Sequence, residues 1–358
     1  MNAKSPLPQR PAKATIADVA AAAGVSKATV SRFLNHRERL LSPDIATRVE
    51  TAIAALGYSP SPMAQALSRG RSRLIGLIVA DISNPYSVAV LRGAEKACQD
   101  AGYLVMLFNL GNDFEREREA IDALAGYQVD GFILNTSGRG AGLVDADALH
   151  GKPAVLVDRR HAGMHTDFVA LDNRAAMRTA CQHLVDGGYR ELLYITESLK
   201  GVSSRRERAA AFGACMTTHQ PRVAGDIFES LGEEGAGAAL DDALRGVRKR
   251  AARGQKTATG NGAAVIAGNA VVTLRVAQAM ARLDLKFGRD IGFIGFDDPD
   301  WASLIGPGLS TISQPTDEIG RTAANCLIER LKGLAVPPRQ VLLPGALMVR
   351  GSSVRTDG

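Results

Sequence analysis

The 358-residue sequence predicts a small all-α helix-turn-helix head followed by a two-lobed α/β core of doubly wound parallel sheets. Three observations carry this. Residues 15–35, TIADVAAAAGVSKATVSRFLN, show helical spacing of apolar residues on either side of a glycine. From Leu74 onward, short Ile/Val/Leu runs alternate with helical patterns, as expected where helices cover both faces of a parallel sheet. The charge is segregated: residues 1–73 hold eleven Lys and Arg against four acids, a net of +7, while the remainder nets −1.

Residues 1–13 are rich in Pro, Lys and Arg and predict a disordered arm. The head spans 14–59. Thr15 is a candidate N-cap, Ile16, Val19, Ala20 and Ala23 share one face, and Gly24 suits the left-handed residue that ends a helix. Ser26 caps a second helix that buries Val30 and Leu34 and turns Lys27, Ala28, Ser31 and Arg32 outward. Ser42 and Pro43 open a third helix, lined by Ile45, Val49, Ala52, Ile53 and Leu56 and ended by Gly57. Two helices around a tight turn with a basic outer face are the pattern that enters a DNA major groove, and the local +7 predicts a polyanionic partner. On these residues alone, a helical hairpin with a solvated basic face is the alternative. Residues 60–73 hold a helical stretch too short to be stable by itself, so they read either as a linker or as a hinge that folds on DNA.

In the core, 74–355, expected strands are 74–80, 103–108, 131–135, 154–158, 168–171, 191–195, 263–267, 291–296 and 309–313. Expected helices are 85–101, 115–126, 173–186, 205–218, 270–283 and 316–332. This is too much for one compact sheet, and two halves with a cleft between them would hold a small ligand at the carboxyl ends of the strands. Residues 246–262, basic and Gly-rich, read as a flexible surface excursion, with a second DNA-contacting patch as the sharper alternative.

Composition narrows the function class. At 46% hydrophobic and 22% charged residues the chain has an ordinary soluble makeup. No stretch of 18 apolar residues and no signal-type N-terminus is present, so a cytoplasmic protein without membrane contact is expected. Cys98, Cys181, Cys215 and Cys326 are widely spaced and read as buried or incidental free thiols. His161 and His165 have no supporting ligand nearby, so no metal site is expected. There is no GxGxxG after the first strand, no phosphate loop and no GxSxG elbow, so neither an enzyme nor a cofactor is expected.

The order of parts resembles the lactose-repressor/galactose-repressor family of bacterial transcription regulators over almost the whole chain. The resemblance rests on TIADVAAAAGVSKATVSRFLN, ALGYSPSPMAQALSRGRSRLIGLIV, DISNPY, YQVDGFILNT, VDRR, ALDN, RRERAAAF, DIGFIGFDD and LSTISQP. Within that family, LSRGRSRLIGLIVADISNPYSV, residues 205–212 and FDDPDWASL look like regulators of 2-ketogluconate use. The resemblance implies the periplasmic-binding-protein-like core, with a first lobe of about 74–172 and 302–333 and a second of about 173–301 and 334–355.

It also implies roles, residue by residue. Lys27, Ala28 and Arg32 match base-reading positions, and Ser26, Thr29, Ser31 and Asn35 match phosphate-binding ones. Ala64 and Leu67 match hinge residues that face the minor groove, with Leu67 as the wedge that kinks the duplex. In the cleft, Ser83, Asn84, Pro85, Tyr86, Asp158, Arg159, Arg208, Asn269, Trp301 and Gln314 match ligand-contacting positions. For Trp301 a buried structural role is the rival.

Two departures refine the expectation. Many sugar-binding members have Asn-Asp where this chain has Asn269-Ala270, and losing that carboxylate leaves Arg159 and Arg208 less opposed. That departure favours an anionic ligand such as a sugar acid, and the resemblance implies 2-ketogluconate as the effector, with a neutral sugar or nucleoside as the alternative. The chain stops soon after RGSSVRTDG without leucine heptads, so a homodimer on operator DNA is expected rather than a tetramer.

Overall fold

The structure, a computed structural model, describes residues 14–34, 41–59, 71–113, 115–136, 148–219, 223–229, 236–253 and 262–355. The expected arm, most of the hinge, and Asn35, Ala64 and Leu67 lie outside the described residues.

The head contains α1 (Ile16–Ala23), α2 (Lys27–Leu34) and α3 (Pro43–Leu56). Thr15 caps α1 as expected, and Asp18 completes a capping box, accepting from the Thr15 amide at 2.8 Å. Gly24 ends α1 at φ 63°, a left-handed conformation suited to glycine. Arg48 on α3 donates to the carbonyls of Ala23 and Gly24, so the third helix ties down the turn between the first two. Ser26 accepts from the Thr29 amide at 3.1 Å and opens α2, and Ser42 opens α3 in the same way. Val19, Ala20, Ala23, Val30, Val49 and Ala52 form the buried core, with Leu34 packed at its edge.

The second unit begins with β1 (Leu74–Val79), α4 (Pro85–Asp100), β2 (Leu104–Asn109), α5 (Arg116–Gly126), β3 (Gly131–Asn135), β4 (Ala154–Val157) and β5 (Asp167–Leu171). It continues through α6 (Asn173–Asp186), β6 (Tyr189–Thr196), α7 (Ser203–His219), β7 (Ala224–Glu229), α8 (Ala236–Arg253), β8 (Gly262–Ala267) and α9 (Ala270–Arg282). β9 (Gly292–Phe296), β10 (Ser310–Ser313), α10 (Thr316–Leu331), β11 (Gln340–Leu343) and β12 (Ala346–Met348) complete it.

Two six-stranded sheets result. The first lobe has the order β11-β5-β4-β3-β1-β2, all parallel, and the second β12-β10-β9-β8-β6-β7, in which only β12 runs antiparallel to its neighbour. Helices cover both faces of each sheet, which is why the central strands are apolar throughout: every residue of β3, β4, β5 and β9 is buried. In the first lobe α4 and α10 pack against one face and α5 against the other. In the second, α6 and α7 cover one face and α8 and α9 the opposite one.

The lobe boundaries differ from expectation. Ser310–Ser313 pair with β9, so this strand belongs to the second lobe, whereas Gln340–Leu343 pair with β5 and close the edge of the first. The chain therefore crosses between lobes after β5, after β10 and after β11. Residues 246–253 are a second correction: they are the C-terminal half of α8 rather than an excursion. Leu240, Leu244, Val247 and Ala251 are buried along one face of that helix, an apolar stripe beneath its many arginines.

One buried ion cluster pins the end of the first lobe. Asp167, 1% exposed, accepts from Arg330 at 2.8 Å and from Arg339 at 2.9 Å. Burial opposes its ionisation, but the hydrogen bonds from the two arginines outweigh this and hold the carboxyl well below the usual range.

Candidate functional site

On α2, Ser26, Lys27, Ala28 and Arg32 are exposed, while Thr29 and Ser31 are half-buried. Thr29 has its hydroxyl 2.9 Å from that of Ser26, so it supports the helix start. Lys27, Ala28 and Arg32 thus stand as an exposed row on a short helix held by the α1 turn and by Val30 in the core.

The second site lies between the two lobes of the core. From the first lobe, Asn84 caps α4, accepting from the Tyr86 amide at 3.1 Å. This places Pro85 and Tyr86 at the helix start, with Ser83 exposed in the preceding loop. Asp158 follows β4 at φ 66° and accepts from Arg159 Nε at 3.2 Å. The same carboxylate accepts from the Ser204 hydroxyl of α7 at 3.2 Å, and the Arg160 amide donates to Ser203 at 2.8 Å. The end of β4 and the start of α7 thus join the lobes directly.

From the second lobe, Arg208 projects from α7 and is only 5% exposed. Its Nε donates to Asn173 Oδ1 at 2.7 Å and its Nη1 to the Gly268 carbonyl at 2.6 Å, and the guanidinium lies 4.1 Å over the Phe296 ring. Gln314 donates to Asp297 Oδ1 at 2.6 Å, while its own carbonyl oxygen is buried without a partner among the described residues. Pro85, Tyr86 and Thr316 of the first lobe face Asp297, Pro299 and Gln314 of the second across a cavity of about 170 Å³.

The electrostatics connect these groups. Burial raises the Tyr86 phenol well above its ordinary range; Asp158 and Asp297 add to the rise, and Arg208 and Arg159 oppose it. Among the described residues the Tyr86 hydroxyl has no hydrogen-bond partner. Burial likewise pushes the Asp297 carboxyl up, against the pull of Arg208 and of hydrogen bonds from Ala270 and Gln314.

Tyr86, Asp158, Arg159, Arg208 and Gln314 are therefore brought together. Asn269 is engaged within its own lobe, capping α9 through Val272 at 2.8 Å and donating to Glu197 at 2.8 Å. Trp301 packs against the second lobe's apolar cluster. Asp297 was not among the expected residues, and it corrects the argument built on Ala270. Its Oδ2 accepts from the Ala270 amide at 3.0 Å, so a carboxylate stands beside that position after all. The signal was the FDD after an apolar strand, the same strand-end placement that marked Asp158.

A little apart, His161 Nε2 is 2.8 Å from Thr136 Oγ1, and its Nδ1 lies 3.8 Å from buried Glu117. Burial, with Arg159 adding, lowers the His161 pKa to about 4, so the ring is neutral near pH 7.

Residues 15–61 match the lacI family of bacterial regulatory proteins. Residues 72–230 match the periplasmic binding proteins and sugar binding domain of the LacI family, and residues 181–353 a periplasmic binding protein-like domain. The HTH-type transcriptional regulator PtxS of Pseudomonas aeruginosa is 43% identical over 350 residues, covering 98% of each chain. The HTH-type transcriptional regulator KdgR of Bacillus subtilis is 36% identical, covering 94% of this chain and 97% of its own. In fold, the chain is similar to the lac repressor dimer bound to operator and the anti-inducer ONPF, with a TM-score of 0.78 at 24% identity over 95% of this chain and 99% of that one. Among the described residues no helix is long and apolar enough to cross a membrane.

Proposed function

The chain belongs to the lacI family of bacterial transcriptional regulators, and from that premise we propose that its operator affinity is set by a sugar acid, 2-ketogluconate, bound between the lobes of the core. The observation that carries this is the buried Arg208. Its protein partners are an amide oxygen, a peptide carbonyl and a ring face, all neutral, so its charge is unmatched by any contacting carboxylate among the described residues. A ligand carboxylate completes that environment, because a guanidinium offers a planar fork that a carboxylate fits. Asp158, Asp297, Gln314 and the unpartnered Tyr86 hydroxyl are suited to the hydroxyls of the same ligand.

The regulatory output follows from where the ligand sits. It bridges the lobes beside the Asp158–Ser204 and Arg160–Ser203 contacts, so it favours one lobe arrangement over the other. In this proposal the protein is a cytoplasmic homodimer. Lys27, Ala28 and Arg32 of each head read one half-site, Leu67 wedges the centre, and the bound acid lowers operator affinity. The pair Asp158 and Asp297 favours a second reading, a neutral sugar or nucleoside whose hydroxyls both carboxylates accept.

Calorimetry of the full chain against 2-ketogluconate, gluconate, ribose and hypoxanthine, with and without operator, separates these. Binding of 2-ketogluconate, weakened about 10–100-fold by Arg208→Met, is expected. A response to ribose or hypoxanthine and to no acid overturns the sugar-acid reading. Equal effector affinity with and without operator overturns the coupling, and tighter effector binding on operator would make the ligand a corepressor.

A further inference from the structure

We propose that Cys215 and Cys181 form a thiol–disulfide exchange site in the second lobe, with Cys215 attacking an anionic low-molecular-weight disulfide held in the groove between α6 and α7. Cys181 lies on α6 and is fully buried; Cys215 lies on α7 and is 9% exposed. The two thiols hydrogen-bond to each other across the packed helices and belong to one apolar cluster.

The groove has a volume of about 860 Å³, and Cys215 forms part of its wall together with Arg174, Arg178, Thr218 and His219. Arg174 and Arg178 make no ion pair among the described residues, and the one carboxylate in the lining, Asp186, accepts from Gln182 at 2.7 Å, so the opening carries more positive than negative charge. That lining suits a small disulfide bearing carboxylates. The hydrogen bond from Cys181, with Arg178 adding, favours the thiolate of Cys215 and holds Cys181 in the thiol form. Cys98 and Cys326 lack these features: burial pushes Cys98 up to about 12 and raises Cys326, and neither lines the groove.

The exchange balances without another reagent. Cys215 Sγ, having lost its proton to solvent, attacks one sulfur of the docked disulfide; the S–S bond breaks and one small thiolate leaves and takes a proton. Cys181 Sγ then gives up its proton and attacks Cys215 Sγ, expelling the second small thiolate. Two protein thiols are oxidised to one disulfide, and the small disulfide is reduced to two thiols.

Oxidised glutathione is the probe, applied to the reduced full chain at pH 7, with alkylation, digestion and mass spectrometry as the readout. The native chain is expected to yield a Cys181–Cys215 linked peptide. In Cys181→Ser, glutathione accumulates on Cys215 at least about tenfold faster than on Cys98 or Cys326, and Arg178→Ala slows this about threefold. Absence of the linked peptide, or glutathione spread evenly over the cysteines, overturns the proposal. A measurement on the native chain guards against misfolded variants. Iodoacetate, relative to neutral iodoacetamide, should alkylate Cys215 preferentially over Cys98 and Cys326, and equal ratios at all three sites overturn the groove's role.

Discussion

The crossing of α4 and α10 is built on two glycines, and Gly320→Ala tests it. A Cβ at Gly320 would overlap the Val90 carbonyl oxygen and stand 2.7 Å from the Ala94 nitrogen and 3.0 Å from the Val90 carbon. At Gly93, directly opposite, a Cβ would overlap the Asp317 oxygen and lie 2.8 Å from its carbonyl carbon. All these neighbours are backbone, so no flexible side chain can yield. Ordinary contacts to these atoms need about 3.3–3.5 Å, so the helices must part by roughly 1–1.5 Å, a gap that forfeits about half of each dispersion contact along the interface. Overpacking and lost contacts, less about 1 kcal/mol of improved helix propensity, leave a net destabilisation of about 3 kcal/mol. At about 1.3–1.7 °C per kcal/mol, from an unfolding entropy of about 2.1 cal/mol/K per residue, the thermal midpoint should fall by roughly 4–5 °C. Calorimetric melting of the full chain measures it, with Gly213→Ala as control. Gly213 lies inside α7 with nothing within 4 Å of an added Cβ, so alanine there should stabilise by about 0.5–1 kcal/mol. Equal melting of Gly320→Ala and Gly213→Ala would refute the close-approach account. The two helices begin at Pro85 and Thr316, both on the cleft wall, so the same substitution should also weaken effector binding.

Further outcomes follow from single buried groups. His161 has a folded pKa of about 4, below its ordinary 6.5, so its contribution is intact above pH 6.5 and is lost as the pH falls from 6.5 toward 4, about 3 kcal/mol in all. Urea unfolding from pH 7 to 4 should show that slope, and His161→Gln should flatten it. Asp167→Asn leaves Arg330 and Arg339 without their shared carboxylate and should cost about 3–5 kcal/mol in urea unfolding of the full chain. In the head, Arg48→Ala frees the Ala23 and Gly24 carbonyls; amide exchange at Val25, whose N–H bonds Ala20, should quicken about fivefold.

Much of the fold was legible because its strongest signals are local. LIGLIV and GFILN are apolar runs of strand length and fold as strands buried on both faces, and Thr15, Ser26 and Ser42 stand at the helix starts they were read to cap. What escaped notice was short, exposed or non-local. β7 and β11, at sheet edges, have only exposed and half-buried residues, and β12 has only three residues, too few for a period to register. In α8 the glycine at 246 and the surrounding arginines masked the stripe of Leu240, Leu244, Val247 and Ala251. Sheet membership of Ser310–Ser313 depends on a partner strand, which no local pattern encodes. The same division holds at the cleft. Asp158 and Arg159 were visible as polar residues ending an apolar strand, whereas only the tertiary structure shows Asn269 occupied by Glu197 and Val272.

The threefold crossing of the chain between lobes has a consequence for synthesis. The first lobe's sheet is nearly complete at Leu171, yet α10, which shares one of its faces with α4 through Ile319, Ala323, Leu327 and Ile328, lies beyond all of the second lobe's sheet except β12. At about 5–20 residues per second, the ribosome leaves the part of that face which α10 covers open for roughly 10–30 s. During this interval the nascent chain is a substrate for chaperones that bind exposed aliphatic surface. A message truncated before codon 316 would yield a product whose first lobe never acquires its cover.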